Sequence, residues 1–262
     1  MNHQVILVLL MTFVITYIGT LSYAIRIVGV RTGKIAISFS LFNILVLVSR
    51  LASTLQVPLL TKYTEVGKYQ QIANTFYMVL IIGLVATIAG AFSIPTFQRL
   101  MTAAVNKFAI DRSIPKMLVH GFSKAGVQHI RTSLSIPTTQ MLKKLSLKEL
   151  PYGVMLMNII AVAILTVGTI APIYSGVIAP DLRATSITLS GVINGFSTIL
   201  LFVFVDPYLS IRTDDVIEGK MDEFAFRRMV IAMVGTKVIG AALAIPLLIP
   251  AAQIIVWVAK WM

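Results

Sequence analysis

The sequence predicts an all-α protein that crosses a membrane several times. Of its 262 residues, 57% are hydrophobic and only 12% are charged, which is about half the charged fraction of soluble domains. The mean hydropathy is +0.90. Long runs without charged residues recur along the chain, and a spanning helix needs about 20 mostly apolar residues. These observations predict a single polytopic bundle of transmembrane helices.

Six apolar runs predict six transmembrane helices. The first run, 1–25, lacks lysine and arginine. It therefore has no charged n-region of a signal peptide, and we expect a retained helix. The other predicted spans are 35–60, 69–98, 150–180, 184–205 and 229–259. Three of the six exceed the thickness of a bilayer, so we expect them to tilt, to kink at Pro95, Pro172 and Pro246, or to extend beyond it.

Lysine and arginine are distributed unevenly between the two sides of these spans. One side holds sixteen of the 22 basic residues, and the other side holds four. Cytoplasmic loops of membrane proteins are rich in lysine and arginine. The bias predicts that the sixteen-residue side is cytoplasmic and that both termini are extracellular.

A basic segment, 99–149, separates two groups of three predicted helices, 1–98 and 150–262. It carries nine lysines and arginines, among which apolar residues recur at helical spacing. This pattern predicts short amphipathic helices that lie on the anionic lipids of the inner leaflet. A docking loop for a protein partner is the alternative.

The two halves of the chain resemble each other. Three successive helices match in order, although glycine and proline are common in membrane helices generally. Because each half has an odd number of helices, a duplication would place the second half upside down, as in transporters built from inverted repeats. The matched pairs include Gly19 and Gly168, Arg31 and Arg183, Asn43 and Asn194, Gly90 and Gly240, and Pro95 and Pro246.

Two cations fall inside predicted spans, Arg50 in the second and Lys237 in the sixth. A cation at the bilayer centre costs about 2.5–3.5 kcal/mol on insertion scales, and no acidic residue lies deep in a span. Both residues are therefore candidates for binding an anionic substrate. Alternatively, Arg50 contacts helix carbonyls, and Lys237 extends its side chain to the inner surface.

Five further residues are candidate substrate contacts. Arg26, Arg31 and Lys34 crowd the inner end of the first two helices. They could gather phosphate-bearing head groups or serve only as the positive residues that a cytoplasmic side requires. Asn43 and Asn194 could hydrogen-bond a substrate or each other.

The composition argues against several other functions. Cysteine is absent and only three histidines occur, so we expect no disulfide, no metal site and no cofactor. No glycine-rich phosphate loop follows a strand, and no cluster of acids or histidines supports a membrane enzyme. The basic residues follow the loops, so the charge does not indicate nucleic acid. Whether the chain forms a homo-oligomer is left open.

Four short segments of the first half resemble the signature of the Amj family: Arg31-Thr32-Gly33-Lys34, Ser40-Leu41-Phe42-Asn43, Ser49-Arg50 and Gln56-Val57-Pro58-Leu59-Leu60. Members of this family are bacterial lipid II flippases, alternates to the MurJ type. The resemblance implies a plasma-membrane transporter that moves undecaprenyl-pyrophosphate-linked peptidoglycan precursor from the inner to the outer leaflet. It supplies no site residues. A secondary exporter of a small organic anion is the alternative function.

Overall fold

A computed structural model describes residues 3–66, 69–111, 132–135 and 151–262. Its regular elements are all helical. The α-helices are α1 (His3–Thr32), α2 (Ile35–Val66), α3 (Tyr69–Asp111), α4 (Tyr152–Ile178), α5 (Arg183–Leu200), α6 (Asp206–Ile217) and α7 (Glu223–Trp261). A 3-10 turn, Pro180–Leu182, precedes α5, and a π-helical segment, Leu201–Val205, joins α5 to α6.

Six helical stretches of the described chain are long and apolar enough to cross a membrane. They are α1, α2, α3, α4, α7 and the continuous stretch Pro180–Ile217, which combines the 3-10 turn, α5, the π segment and α6. The prediction of an all-α polytopic protein with six spans is thereby confirmed. The helices α3, α4 and α7 continue through the internal prolines at which kinks were expected.

Several predicted helix ends are too early, and the largest differences are in the third and fifth spans. The helix α3 continues beyond residue 98 to Asp111, and Met101 and Val105 are buried with Ile25 and Val28 of α1. Residues 99–111, which were predicted as the beginning of the basic segment, are therefore an extension of α3. The fifth span continues beyond residue 205 into α6. Of the loop residues 112–149, all but 132–135 lie outside the described residues, including the other predicted amphipathic helices.

The helices form two groups of three with the same packing plan. In the first group α1 packs along α2 and α3, which touch each other little, and in the second group α4 packs along α5 and α7. The two central helices are antiparallel. Val8 near the start of α1 shares an apolar cluster with Tyr174 near the end of α4, whereas Tyr23 of α1 contacts Asn158 near the start of α4.

A tight turn brings α2 back along α1. Gly33 has φ +64°, a left-handed conformation that glycine adopts without a steric penalty. The Gly33 N–H donates to Val30 O and the Lys34 N–H donates to Gly29 O, which is a Schellman motif. We call the end of the bundle that holds this turn and α6 the basic end, and the end where α2 meets α5 the opposite end.

Candidate functional site

A cavity of about 570 Å³ lies between the two helix triplets. All six spans contribute to its wall, because α1, α2 and α3 supply residues from one half and α4, α7 and the π segment supply residues from the other. Apolar side chains alternate with hydroxyl and amide groups, which can hydrogen-bond water or a polar ligand. The hydroxyl and amide residues are Thr12, Thr16, Ser22, Tyr23, Asn43, Ser49, Ser53, Gln56, Thr166 and Thr169.

Lys237 of α7 supplies a cation to this cavity. Its Nζ donates a 2.6 Å hydrogen bond to Gly19 O and lies 5.5 Å from the centre of the Tyr23 ring, a cation–π contact. None of the ion pairs within the described residues includes Lys237. The ammonium group has three donors, so it can bind an anion without giving up its contact with Gly19.

Arg26 marks the basic end of the cavity. Its guanidinium donates to Asp206 Oδ1 at 3.1 Å and to Ser210 Oγ at 3.0 Å, and it lies over the Phe39 ring. The Arg26 side chain is only 12% exposed, so little water can reach its charge. The Asp206 carboxylate compensates that charge instead. This clasp, which we call the basic-end clasp, connects α1 to α6 across the two halves.

A second arginine connects the halves at the opposite end. Arg183 at the start of α5 donates to Thr64 Oγ1 of α2 at 2.7 Å, and it lies 3.8 Å from the Glu65 carboxylate. We call this contact the opposite-end clasp. An arginine therefore connects the first half to the Pro180–Ile217 span at each end of the bundle.

The cavity brings together three of the seven candidate residues, namely Lys237, Asn43 and Arg26. Arg31 instead donates to Glu223 Oε1 at 2.8 Å, outside the cavity. Lys34 is not part of the cavity lining either. Asn194 of α5 packs against Gly168 of α4, and its Oδ1 is buried without a hydrogen-bond partner in the described part of the chain.

Arg50 is exposed and does not line the cavity. It follows Asn43 by about two helical turns on the same face of α2, and its neighbours Ser49 and Ser53 do line the cavity. Its side chain is therefore on the face of α2 that carries the cavity wall but outside the enclosed space.

A π-helical segment forms one side of the cavity. Leu201, Phe202 and Val205 line it, and Pro207 follows directly in the first turn of α6. Proline has no N–H to donate to the helix carbonyl one turn earlier. A π turn is one way to accommodate this missing hydrogen bond. The chain thereby stays helical past the point where hydropathy alone ends the span.

Sequence reasoning missed Tyr23, Asn158 and Gln56. Gln56 is buried and donates to Thr12 Oγ1 at 2.7 Å between α2 and α1. Asn158 is completely buried and accepts a hydrogen bond from Tyr23. Asn158 is the one amide side chain in α4, a helix with no charged residue. That isolation within an apolar helix was the signal that could have identified it.

Comparison with known proteins identifies the family. A family model described as "Amj: Alternate to MurJ" matches residues 11–259. The chain belongs to the Amj family. It is 34% identical to the lipid II flippase Amj of Bacillus subtilis (strain 168), an alignment that covers 98% of this chain and 97% of that relative.

The resemblance of the sequence to the Amj family is thus confirmed. The named relative is a flippase, which is a transporter and not an enzyme. No solved structure matches the chain. The cavity lining from Thr12 to Lys237 falls within the segment that matches the Amj family model.

Proposed function

We propose that this Amj family member is a lipid II flippase of the bacterial plasma membrane. It moves undecaprenyl-pyrophosphate-linked precursor from the cytoplasmic to the outer leaflet. The near full-length identity with a relative named lipid II flippase supports this function. The observation that carries the mechanism is Lys237, a cation without an acidic partner among the described residues, in a partly polar cavity between two helix triplets.

Lys237 binds the pyrophosphate of the substrate in this proposal. An ammonium group taken out of water loses hydration, and a bound anion offsets that loss through charge-assisted hydrogen bonds. The hydroxyl and amide groups of the wall contact the sugars. The isoprenoid chain stays in the bilayer, so only the polar head enters the cavity.

The other candidate residues act outside this central position. Asn43 lines the cavity and is exposed, so with Arg50 on the same face of α2 it meets the head group on entry. Arg31 and Lys34 attract anionic head groups to the basic end, where Arg26 forms the clasp with Asp206. Asn194, whose Oδ1 has no partner in the described chain, hydrogen-bonds the substrate when the second half moves as a unit and opens the space beside α5.

Movement by alternating access follows from two inverted halves. The common packing plan, the antiparallel central helices and the matched glycines support such a duplication. Gly90 approaches Thr20 of α1, and Gly240 approaches Val162 of α4. If Gly19 matches Gly168, then Thr20 matches Thr169 of α4. Gly240 instead approaches Val162, about two turns before Thr169, so the two glycine contacts lie at different depths in the two halves. Inverted repeats provide two states around one central site.

The two clasps are the gates of this cycle. With both clasps formed, the head group is enclosed. Opening the basic-end clasp admits substrate from the cytoplasmic leaflet, and opening the opposite-end clasp releases it to the outer leaflet. This assignment places the sixteen-residue basic side in the cytoplasm and both termini outside, in agreement with the positive-inside rule.

Export of a small organic anion remains a second candidate because of the size of the cavity. A volume of about 570 Å³ lies within the range of ordinary small-molecule sites, about 300–1,000 Å³. Such an exporter would produce anion flux in vesicles without moving a lipid-linked precursor. The flipping assay below therefore includes an anion-flux arm with the same protein.

Reconstituted full-length protein tests the proposal. Proteoliposomes carry fluorescent lipid II, and a membrane-impermeant quencher reports transfer between leaflets. We expect Lys237→Met to slow transfer at least about tenfold, because a loss of a charge-assisted contact of about 1.5–3 kcal/mol corresponds to that factor or more. Lys237→Arg, which keeps the charge, retains part of the rate. Lys260→Met, at the exposed end of the same helix, is the matched control.

Wild-type protein that fails to move lipid II, yet carries anions, would replace the flippase by the exporter. Wild-type flipping that Lys237→Met leaves unchanged would remove Lys237 from the mechanism. Size-exclusion profiles and melting temperatures in detergent show whether each variant is folded, so a loss of transfer is interpreted only in a folded protein.

A further inference from the structure

Asn158 is the centre of a buried hydrogen-bond network that connects three helices. It is 0% exposed. Its Oδ1 accepts a 2.9 Å hydrogen bond from Tyr23 Oη of α1. Its Nδ2 donates to Thr236 Oγ1 at 2.8 Å and to Met233 O at 3.1 Å, both in α7. All of its strong donors and one acceptor position are therefore used.

The direction of every hydrogen bond in this network is determined. The Thr236 hydroxyl donates to Met233 O at 2.7 Å, so it accepts from Asn158. Reversing the Asn158 amide would point its oxygen at the Met233 carbonyl oxygen, and two acceptors repel each other. The Asn158 oxygen must therefore face Tyr23, whose hydroxyl is the donor.

This network surrounds Lys237 on two sides. Thr236 is its neighbour in α7, and the Tyr23 ring lies 5.5 Å from its ammonium nitrogen. Gly19, which accepts the hydrogen bond from Lys237, precedes Tyr23 by one turn of α1. A lysine in a membrane helix otherwise tends to extend toward the interface. The hydrogen bonds of Asn158 fix the Tyr23 ring and the turn of α7 that contains Thr236. The Lys237 ammonium group thereby stays directed toward the cavity.

We propose that Asn158 is a positioning residue that holds Lys237 toward the cavity for binding of a pyrophosphate group. It acts through Tyr23 and Thr236 and does not line the cavity itself. This inference rests on the proposed function, which assigns the pyrophosphate of the substrate to Lys237. Its distinguishing consequence is that the contribution of Asn158 to binding disappears when Lys237 is absent.

A double-mutant cycle tests that consequence. Dissociation constants for inorganic pyrophosphate are measured by calorimetry on detergent-solubilised full-length protein, and lipid II transfer is measured in proteoliposomes. We expect Lys237→Met to weaken pyrophosphate binding at least about tenfold and Asn158→Leu to weaken it about 3- to 30-fold. The double variant should bind no more weakly than Lys237→Met alone. Tyr23→Phe, which keeps the ring and removes the hydroxyl, should lie between wild type and Asn158→Leu.

Ser197→Ala provides the structural control. Ser197 is also completely buried, and it donates a 2.6 Å hydrogen bond from α5 to Ala161 O of α4 without lining the cavity. Its loss removes a buried interhelical hydrogen bond that does not include Asn158, Tyr23, Thr236 or Lys237. We expect its effects on melting temperature and on pyrophosphate binding to combine independently with those of Lys237→Met.

Two outcomes overturn the positioning role while leaving the flippase intact. One is a double variant whose loss of affinity is the product of the two single losses, as for Ser197→Ala. The other is wild-type protein that moves lipid II but does not bind pyrophosphate. Absence of lipid II transfer together with a coupled cycle for pyrophosphate would instead reject the flippase and keep the positioning role.

Discussion

Arg183 at the start of α5 donates a 2.7 Å hydrogen bond to Thr64 Oγ1 near the end of α2. This contact crosses between the two helix triplets at the end of the bundle opposite to the bond between Arg26 and Asp206. The two arginines therefore hold the halves together at separate ends. In an alternating-access cycle the two contacts would break in turn, whereas in a static scaffold both would stay intact.

Cross-linking the opposite-end clasp should stop transport. The sequence contains no cysteine, so Thr64→Cys and Arg183→Cys introduce the sole pair of thiols. We expect a short bifunctional thiol reagent with a reducible spacer to lower lipid II transfer at least about tenfold, and reduction to restore it. The reason is that the outward-open state of the proposed cycle requires α2 and α5 to separate.

A pair inside one half is the control for this experiment. Ala161→Cys and Ser197→Cys join α4 to α5, where Ser197 contacts Ala161 O. Cross-linking these two positions should leave transfer within about twofold of the unlinked protein, because in the proposed cycle each half moves as a unit. Equal inhibition by both cross-links, or by neither, would contradict gating at the clasp.

The basic-end clasp should contribute measurably to stability. Asp206→Asn removes the negative charge beside Arg26, whose side chain is 12% exposed. Hydrogen bonds to charged groups contribute about 1.5–3 kcal/mol, so we expect a lower melting temperature in detergent. The expected cost is nearer 1 kcal/mol, since the carboxylate itself is partly exposed and the asparagine oxygen can still accept a hydrogen bond.

Glu218→Gln is the matched charge removal. Glu218 pairs with Lys220, and both side chains are exposed. Exposed ion pairs contribute about 0–1 kcal/mol, so this variant should melt close to wild type. If Asp206→Asn and Glu218→Gln lower the melting temperature equally, the basic-end clasp has no special role in holding the halves together.

Much of the helical architecture could be predicted from hydropathy, but the helix ends could not. Hydropathy reports where apolar residues stop, and a helix can continue into polar sequence when tertiary contacts bury one face. Met101 and Val105 extend α3 by packing on α1. Leu209 extends the fifth span in the same way, because it is buried with Ile27 of α1 and Phe226 of α7.

The candidate site was predictable where a polar residue interrupts an apolar helix. Lys237 and Asn43 were found by that signal, and both line the cavity. Asn158 carried the same signal, but its partners Tyr23 and Thr236 come from helices that are distant in sequence, so its network could not be read from α4 alone. The position of Arg50 outside the cavity lining could not be read from spacing, since spacing gives the face of a helix but not how closely its neighbours approach.

Arg50 should affect the entry of substrate more than its central binding. It is exposed on the cavity-facing side of α2, where a positive charge raises the local concentration of an anionic head group. We expect Arg50→Ala to slow lipid II transfer about 3- to 10-fold at low ionic strength and less at high salt, because ions screen an exposed charge. Arg50→Lys should retain most of the rate.

The control for Arg50 is Lys62→Ala, which removes an exposed cation from the same helix away from the cavity lining. It should leave transfer unchanged at both ionic strengths. A salt-independent defect in Arg50→Ala, or an equal defect in Lys62→Ala, would argue against an electrostatic role at entry.

Gly240 should be required for the close approach of α7 to α4. A Cβ atom at this position would lie 2.7 Å from Ile159 O and 2.9 Å from Val162 Cβ. Backbone oxygen cannot yield as a flexible side chain can, so α4 must shift. We expect Gly240→Ala to destabilise the protein by about 1–3 kcal/mol, the usual cost of overpacking. Because Val162 lines the cavity, lipid II transfer should fall as well.

Gly235→Ala, about one and a half turns nearer the basic end of α7 by helical spacing, is the comparison for this effect. Nothing lies within 4 Å of a Cβ atom built on Gly235, so alanine there should leave the melting temperature unchanged or raise it slightly, since alanine favours helix more than glycine does. The difference in melting temperature between the two variants separates the effect of the α4–α7 contact from the effect of helix propensity. Equal melting temperatures for Gly240→Ala and Gly235→Ala would mean that α4 and α7 are not packed as closely as these distances require.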